Sequence, residues 1–241
     1  MRAALIAASA LALGACNMVA EAQETGGDGR PDRRSFDVGS FDSVSLGGYQ
    51  NVVVAVGPAA SVRAEGPSGE LDRLEIDVDD GDLRIRTKRD GWRMSMGKRQ
   101  PVTIYVTTPR LTSAALGGSG DMRIDRVEGN SFEAAIGGSG DISIGSLRVG
   151  SANFSIGGSG GISASGEASR QAFSIAGSGN IDAAGLRGRT AEVSIVGSGD
   201  VRANASESAS VTILGSGDVE LSGGAKCDVT KRGSGSVRCT G

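Results

Sequence analysis

The chain has 241 residues, 40 of them glycine and only 8 aromatic, with 25 Lys and Arg against 28 Asp and Glu and no histidine. The missing imidazole excludes Ser-His-Asp and Cys-His nucleophiles and the common zinc enzyme sites, and a net charge of −3 argues against a nucleic-acid binder, which carries a basic face. Glycine at about one residue in six, more than twice the usual share, weakens helices and favours short strands joined by tight turns.

Residues 1–15 read as an export segment. Arg2 supplies the positive start and residues 3–13 an apolar run too short to span a bilayer, which takes about 20 residues. The run ends in Leu13-Gly14-Ala15-Cys16, which resembles the bacterial lipobox, whose cysteine is diacylated and becomes the first residue of the mature protein. The alternative is an ordinary signal peptide with an incidental cysteine. Asn17 follows, where Asp in Gram-negative lipoproteins marks inner-membrane retention. The resemblance therefore implies an outer-membrane lipoprotein, on the cell surface or the periplasmic face. Residues 16–34, rich in Gly and polar residues without an apolar period, read as the lipidated cysteine and a flexible tether. The domain proper is expected over 35–241.

Residues 52–110 alternate apolar and polar positions: Leu74, Ile76 and Val78, then Leu83 and Ile85, then Val102, Ile104 and Val106. Asp80-Gly81 between two of these runs is a turn signal. The region reads as a less regular opening of the same domain. Within it Lys88, Arg89, Trp92, Arg93, Lys98 and Arg99 gather positive charge around the only tryptophan. Such a loop suits an anionic glycan, a lipid headgroup or an acidic partner. The other reading is a hairpin tip whose Trp and Met cover an open core edge.

The remainder is a repeat. Gly-Ser-Gly recurs from Gly118, Gly138, Gly158, Gly177, Gly197, Gly215 and Gly233, at intervals of 18 to 20 residues. A divergent copy, residues 45–52, aligns without gaps on 115–122. Two residues before the turn stand Leu116, Ile136, Ile156, Ile175, Ile195, Ile213 and then Lys231, and four before it Ala114, Ala134, Phe154, Phe173, Val193, Val211 and Val229. Four residues after its first glycine come Met122, Ile142, Ile162, Ile181, Val201, Val219 and Val237. Apolar residues thus alternate on both sides of a glycine turn, the pattern of two half-buried strands. One such pair cannot bury its apolar face alone, but coils stacked about 4.8 Å apart form columns and one continuous core. The expected fold is all-β, a parallel β-helix of 18–20 residues per coil. Glycine suits the corner because it reaches positive φ, and stacked serine hydroxyls and backbone groups are expected to bond from coil to coil. Lys231 and Arg232, where other copies have apolar residues, mark the expected end.

Asp121, Asp141, Asn180, Asp200 and Asp218 form a column after the turn. A calcium ladder is the sharper reading, but calcium-binding glycine repeats have period nine and set their Asp one residue later. Asp or Asn closing the turn through backbone N–H groups explains the column without a metal. Residues 157–161 match Gly-x-Ser-x-Gly, yet Ser159 has no histidine to activate it and sits in one copy of a sevenfold turn. Polysaccharide-active β-helices cluster Asp, Lys or Arg on one face, and here the outward positions are mostly Ser, Thr and Ala. No cofactor motif appears. Cys227 and Cys239 lie six residues before and after Gly233, in columns otherwise holding Ala152 and Ala164 or Ala191 and Ala203. A disulfide closing the final coil is expected, worth about 3 kcal/mol for such a loop, the alternative being two buried thiols.

The Gly-Ser-Gly-Asp/Asn turns, residues 41–48 (FDSVSLGG), residues 80–85 (DGDLRI) and residues 227–237 (CDVTKRGSGSV) are similar to a bacterial domain of unknown function, the auto-transporter adhesin, head GIN domain family, over about residues 35–241. The resemblance implies a right-handed β-helix like that of pectin lyases without their catalytic residues, and adhesion as the role. It carries over no functional residues. The functional expectation is a non-catalytic envelope lipoprotein, held to the membrane by its lipid, that presents a repeat surface for adhesion or macromolecular interaction. The alternatives are a periplasm-facing lipoprotein binding a glycan or protein and, least favoured, a polysaccharide lyase or hydrolase.

Overall fold

The computed structural model describes residues 32–88 and 101–241. Short elements open the chain: β1 (Asp32–Phe36), β2 (Ser43–Gly47), β3 (Asn51–Val56), β4 (Ser61–Gly66), the one-turn helix α1 (Ser68–Leu71), β5 (Leu74–Asp79), β6 (Asp82–Thr87), β7 (Thr103–Thr108) and β8 (Ser113–Leu116). Long bent strands follow, one per repeat: β9 (Met122–Ile136), β10 (Ile142–Ile156), β11 (Gly161–Gly177), β12 (Asn180–Gly197) and β13 (Asp200–Gly215). The last coils hold β14 (Val219–Ser222), β15 (Lys226–Gly233) and β16 (Val237–Cys239).

Strands β9 to β13 pair in parallel, each on the next, and the apolar positions fall into the expected columns. Leu46, Leu116, Ile136, Ile156, Ile175, Ile195 and Ile213 stack in one register, and all are buried. The fold is a β-solenoid of about 6 turns. The divergent copy lies under the first full repeat as the ungapped alignment requires, with Ser45 beside Ala115 and Val52 beside Met122.

The opening of the domain departs from the parallel pattern. One side of the solenoid runs β5-β6-β2-β8 into the second half of β9, and the other runs β1-β4-β7-β3 into its first half. Strands β1, β4 and β5 join antiparallel, so the first coil is closed by hairpin-like pairing and by α1, whose Leu71 is fully buried. Asp80 and Gly81 make the expected turn with φ of 50° and 79°, the left-handed pair that suits a two-residue hairpin. The tether expected to reach residue 34 ends earlier. Asp32, Arg33 and Arg34 belong to β1, and Arg34 donates to Leu71 O (3.2 Å) and to Asp72 (2.6 Å). These bonds latch the first strand onto the closing helix.

The glycine corners work differently from the expectation based on φ alone. Positive φ occurs at Gly177, Gly197, Gly215 and Gly233 but not at Gly118, Gly138 or Gly158. What all seven share is contact with the coil below. A Cβ on Gly138 would come within 3.0 Å of the Gly118 backbone, and the others meet the preceding corner in the same way. The serine amides, rather than the hydroxyls, carry the ladder: Ser139 N donates to Gly118 O (2.9 Å), Ser159 N to Gly138 O (3.0 Å) and Ser178 N to Gly158 O (3.0 Å).

Gln171 is a long polar side chain buried in an interior column, between Ala152 and Ala191. Its Nε2 donates to Leu186 O (2.8 Å) and Asn204 O (3.3 Å). Both carbonyls lie near the register shifts between β12 and β13. The amide thus satisfies carbonyls that a regular ladder would have paired.

Candidate functional site

The final coil is closed as the sequence predicts. Cys227 and Cys239 form a disulfide across the narrow interior, with Cα atoms 6.7 Å apart. Cys227 stacks on Ala209, and Cys239 on Leu221. Replacing both cysteines by serine should fray this coil alone. Hydrogen exchange should quicken over residues 226–239 and stay unchanged over β10 and β11. Faster exchange throughout the solenoid would show that the bond stabilises more than the end.

The Asp/Asn column is tied to the backbone. Oδ1 of each member accepts from an amide of the next coil: Asp121 from Asp141 N (3.2 Å), Asp141 from Gly161 N (2.8 Å), Asn180 from Asp200 N (3.1 Å) and Asp200 from Asp218 N (2.9 Å). Asp218 accepts from both the amide (2.8 Å) and the hydroxyl (2.7 Å) of Ser236. The column thus satisfies amides at the corner, with each side chain reaching the next coil rather than its own turn. Among the described residues no group of three or more His, Cys, Asp or Glu is placed to hold a metal ion.

The hydroxyl and amide of Ser236, helped by the charges of Arg238 and Lys231, hold the Asp218 carboxyl below its ordinary pKa. The ionised form is therefore favoured by folding, and its contribution is complete above the unfolded value of about 4 and lost as pH falls through the depressed value. Thermal unfolding followed between pH 7 and 2 should show a smaller acid loss in Asp218→Asn than in the unaltered protein. Identical acid limbs would contradict that role.

The outer surface carries a pattern that the sequence reading missed. Glu128, Arg148, Glu167 and Arg187 occupy one register position on successive coils. Their charges alternate along the solenoid, with Glu128–Arg148 at 3.9 Å and Glu167–Arg187 at 2.6 Å. Arg187, through its hydrogen bond and then its charge, lowers the Glu167 pKa, and Arg148 adds to the effect. Glu207 pairs with Arg189 at 2.6 Å and raises its pKa. These groups are solvent-exposed and screened, so they set register and surface character more than stability. The signal was available about ten residues after each turn, beyond the flanks compared.

On another side the outward positions are short and polar. Ser155, Ser174, Ser194, Thr212 and Thr230 form one row. Glu133, Asn153, Ala172 and Glu192 run beside it, and the two rows border a shallow depression over the buried Phe154 and Phe173. At the opening end Arg63 lies over the Tyr105 ring, 4.8 Å from its centroid, beside a second depression reaching Phe36 and Val38. Of the basic loop, Lys88 is placed beside the closing helix, its amide donating to Arg73 O (2.8 Å). Arg89, Trp92, Arg93, Lys98 and Arg99 lie outside the described residues, as does Cys16 with the export segment.

The fold matches the crystal structure of a "putative adhesin" from Bacteroides fragilis with a TM-score of 0.78 and 23% identity, covering 87% of this chain and 97% of that one. A Parabacteroides distasonis structure described as a "putative lipid binding protein" matches at TM-score 0.70 and 23% identity, covering 89% and 98%. A "putative adhesin" from Parabacteroides merdae matches at 0.65 and 15%, again covering 89% and 98%. At these identities the likeness is one of fold. No protein of curated function matches the chain. A family model does match it over residues 40–225, from β2 through β14 and short of the 227–237 ending, and the chain belongs to that family, "Putative auto-transporter adhesin, head GIN domain".

Proposed function

We propose that the protein is a non-catalytic envelope lipoprotein, anchored through Cys16 at the outer membrane, whose solenoid presents a rigid repeat surface for adhesion or macromolecular interaction. The observation that carries this reading is the outward surface itself. Rows of short polar residues stand at coil spacing over a filled apolar core, giving a broad recognition face with shallow depressions. Such a face suits an extended partner that repeats along its own length. Protease shaving of intact cells tests the adhesion reading, which expects cleavage or release of the solenoid. Protection from protease would place the interaction face inside the envelope.

A second reading is a lipoprotein facing the periplasm that binds an anionic glycan, with Arg63, held over the Tyr105 ring and 3.5 Å from Glu65, as its cation. The sequence of Arg89, Trp92, Arg93, Lys98 and Arg99 combines cations with an aromatic ring in the same way. A glycan array with the unaltered chain and with Tyr105→Ala tests it, the variant losing signal on acidic glycans only. Trp92→Ala separates the two roles of the loop. Unchanged melting with weaker binding supports a recognition tip, and a large fall in melting temperature supports a cover over the core edge.

A further inference from the structure

The two ends of the solenoid are not alike. The first coil is closed by α1 and by antiparallel strands. At the other end, among the described residues, β15 pairs only with β13, and β16 only with β14. Val229 belongs to the interior column of Phe154, Phe173, Val193 and Val211, yet it is 43% exposed against 1% for Val211. Ser234 N donates back to Gly215 O (3.0 Å). The alternation of a strand then turns the N–H and C=O groups of Val229 and Lys231 outward along the free edge. An edge of this kind accepts another strand.

We propose that this end is a self-association edge at which two copies of the chain pair β15 antiparallel about a twofold axis through Thr230. The sequence of the strand is self-complementary in that register. Asp228 of each copy faces Arg232 of the other, and Val229 faces Lys231. The Lys231 ammonium is already turned back to Gly235 O (2.6 Å), so its aliphatic stem is what lies over Val229. Neighbouring registers fail on charge. Centring on Val229 opposes Lys226 to Arg232, and centring on Lys231 opposes two ammonium groups. The disulfide holds the edge in a fixed shape, and a twofold pairing closes without leaving a further open edge on either β15.

Thr230 would form a non-hydrogen-bonded pair with its symmetry mate, Cα atoms about 4.5 Å apart, within disulfide range. Thr230→Cys in the full chain, oxidised in intact cells, should therefore give a band of twice the chain mass that a reductant removes. Thr212→Cys, one coil inward, should give none. Only monomer from Thr230→Cys, or equal crosslinking from both variants, overturns the proposal. In the Thr230→Cys background, Arg232→Asp should abolish the band and Asp228→Arg with Arg232→Asp should restore it. A band indifferent to these charges also overturns it. Neither outcome bears on adhesion, which protease shaving reads separately.

Discussion

Alanine at Gly138 should destabilise the protein by about 3 kcal/mol, whereas alanine at the adjacent Gly137 should change stability by less than about 0.5 kcal/mol. The two positions differ by one residue and share a sequence context. A Cβ at Gly138 would meet the carbonyl oxygen, carbon and nitrogen of Gly118, and one at Gly137 would meet nothing within 4 Å. The obstructing atoms are backbone already fixed by the ladder bond from Ser139 N, so no side chain can move aside to make room. The cost therefore falls on the stacking of two coils, the interface that gives a solenoid its cooperativity. Chemical denaturation followed by circular dichroism measures both variants. Equal effects at the two positions would mean that close packing of corners is not what selects glycine.

Phe154→Ala should cost about 3–5 kcal/mol, the range for removing a buried aromatic and leaving a cavity. Phe154 stands above Ala134 and below Phe173 in one column, with the two ring centroids 5.7 Å apart. The small residue below and the large one above fill the interior in complementary fashion, and a parallel ladder on both sides prevents collapse into the void. The same column offers its own control. In the monomeric chain Val229, 43% exposed at the open end, should tolerate alanine with a change below about 0.5 kcal/mol. A gradient from centre to end along one column is the expected result of denaturant titration, and a uniform cost along it would contradict the stacked core.

What was legible in the sequence is what the repeat states many times over. The columns of Ile136, Ile156 and Ile175, the alignment of residues 45–52 on 115–122 and the meeting of Cys227 with Cys239 all follow from counting residues from a corner. The opening of the domain was not legible in detail. Alternation alone is the same whether a strand joins parallel or antiparallel, so β1 and β4 could not be given a direction, and only the Asp80-Gly81 turn set β5 against β6. Nor did the tether's composition reveal that Arg34 would find Asp72, a contact across 38 residues. The reason for glycine at the first three corners was also hidden, because close approach between coils is a property of the stack and not of any single turn. The Glu128–Arg148–Glu167–Arg187 column lies nine or ten residues after the corner, where the apolar columns that define the coil give no cue to an outward charge. A recognition site is harder still to read, since its chemistry sits on outward positions that the fold leaves free to vary.

The stacked coil itself is tested most directly by methyl-resolved NMR on isoleucine-labelled protein. Stacking predicts side-chain contacts of Ile156 with both Ile136 below and Ile175 above, and amide protection along β10 and β11. Ile156 without contact to either neighbour, or with its methyl groups open to solvent, would contradict it.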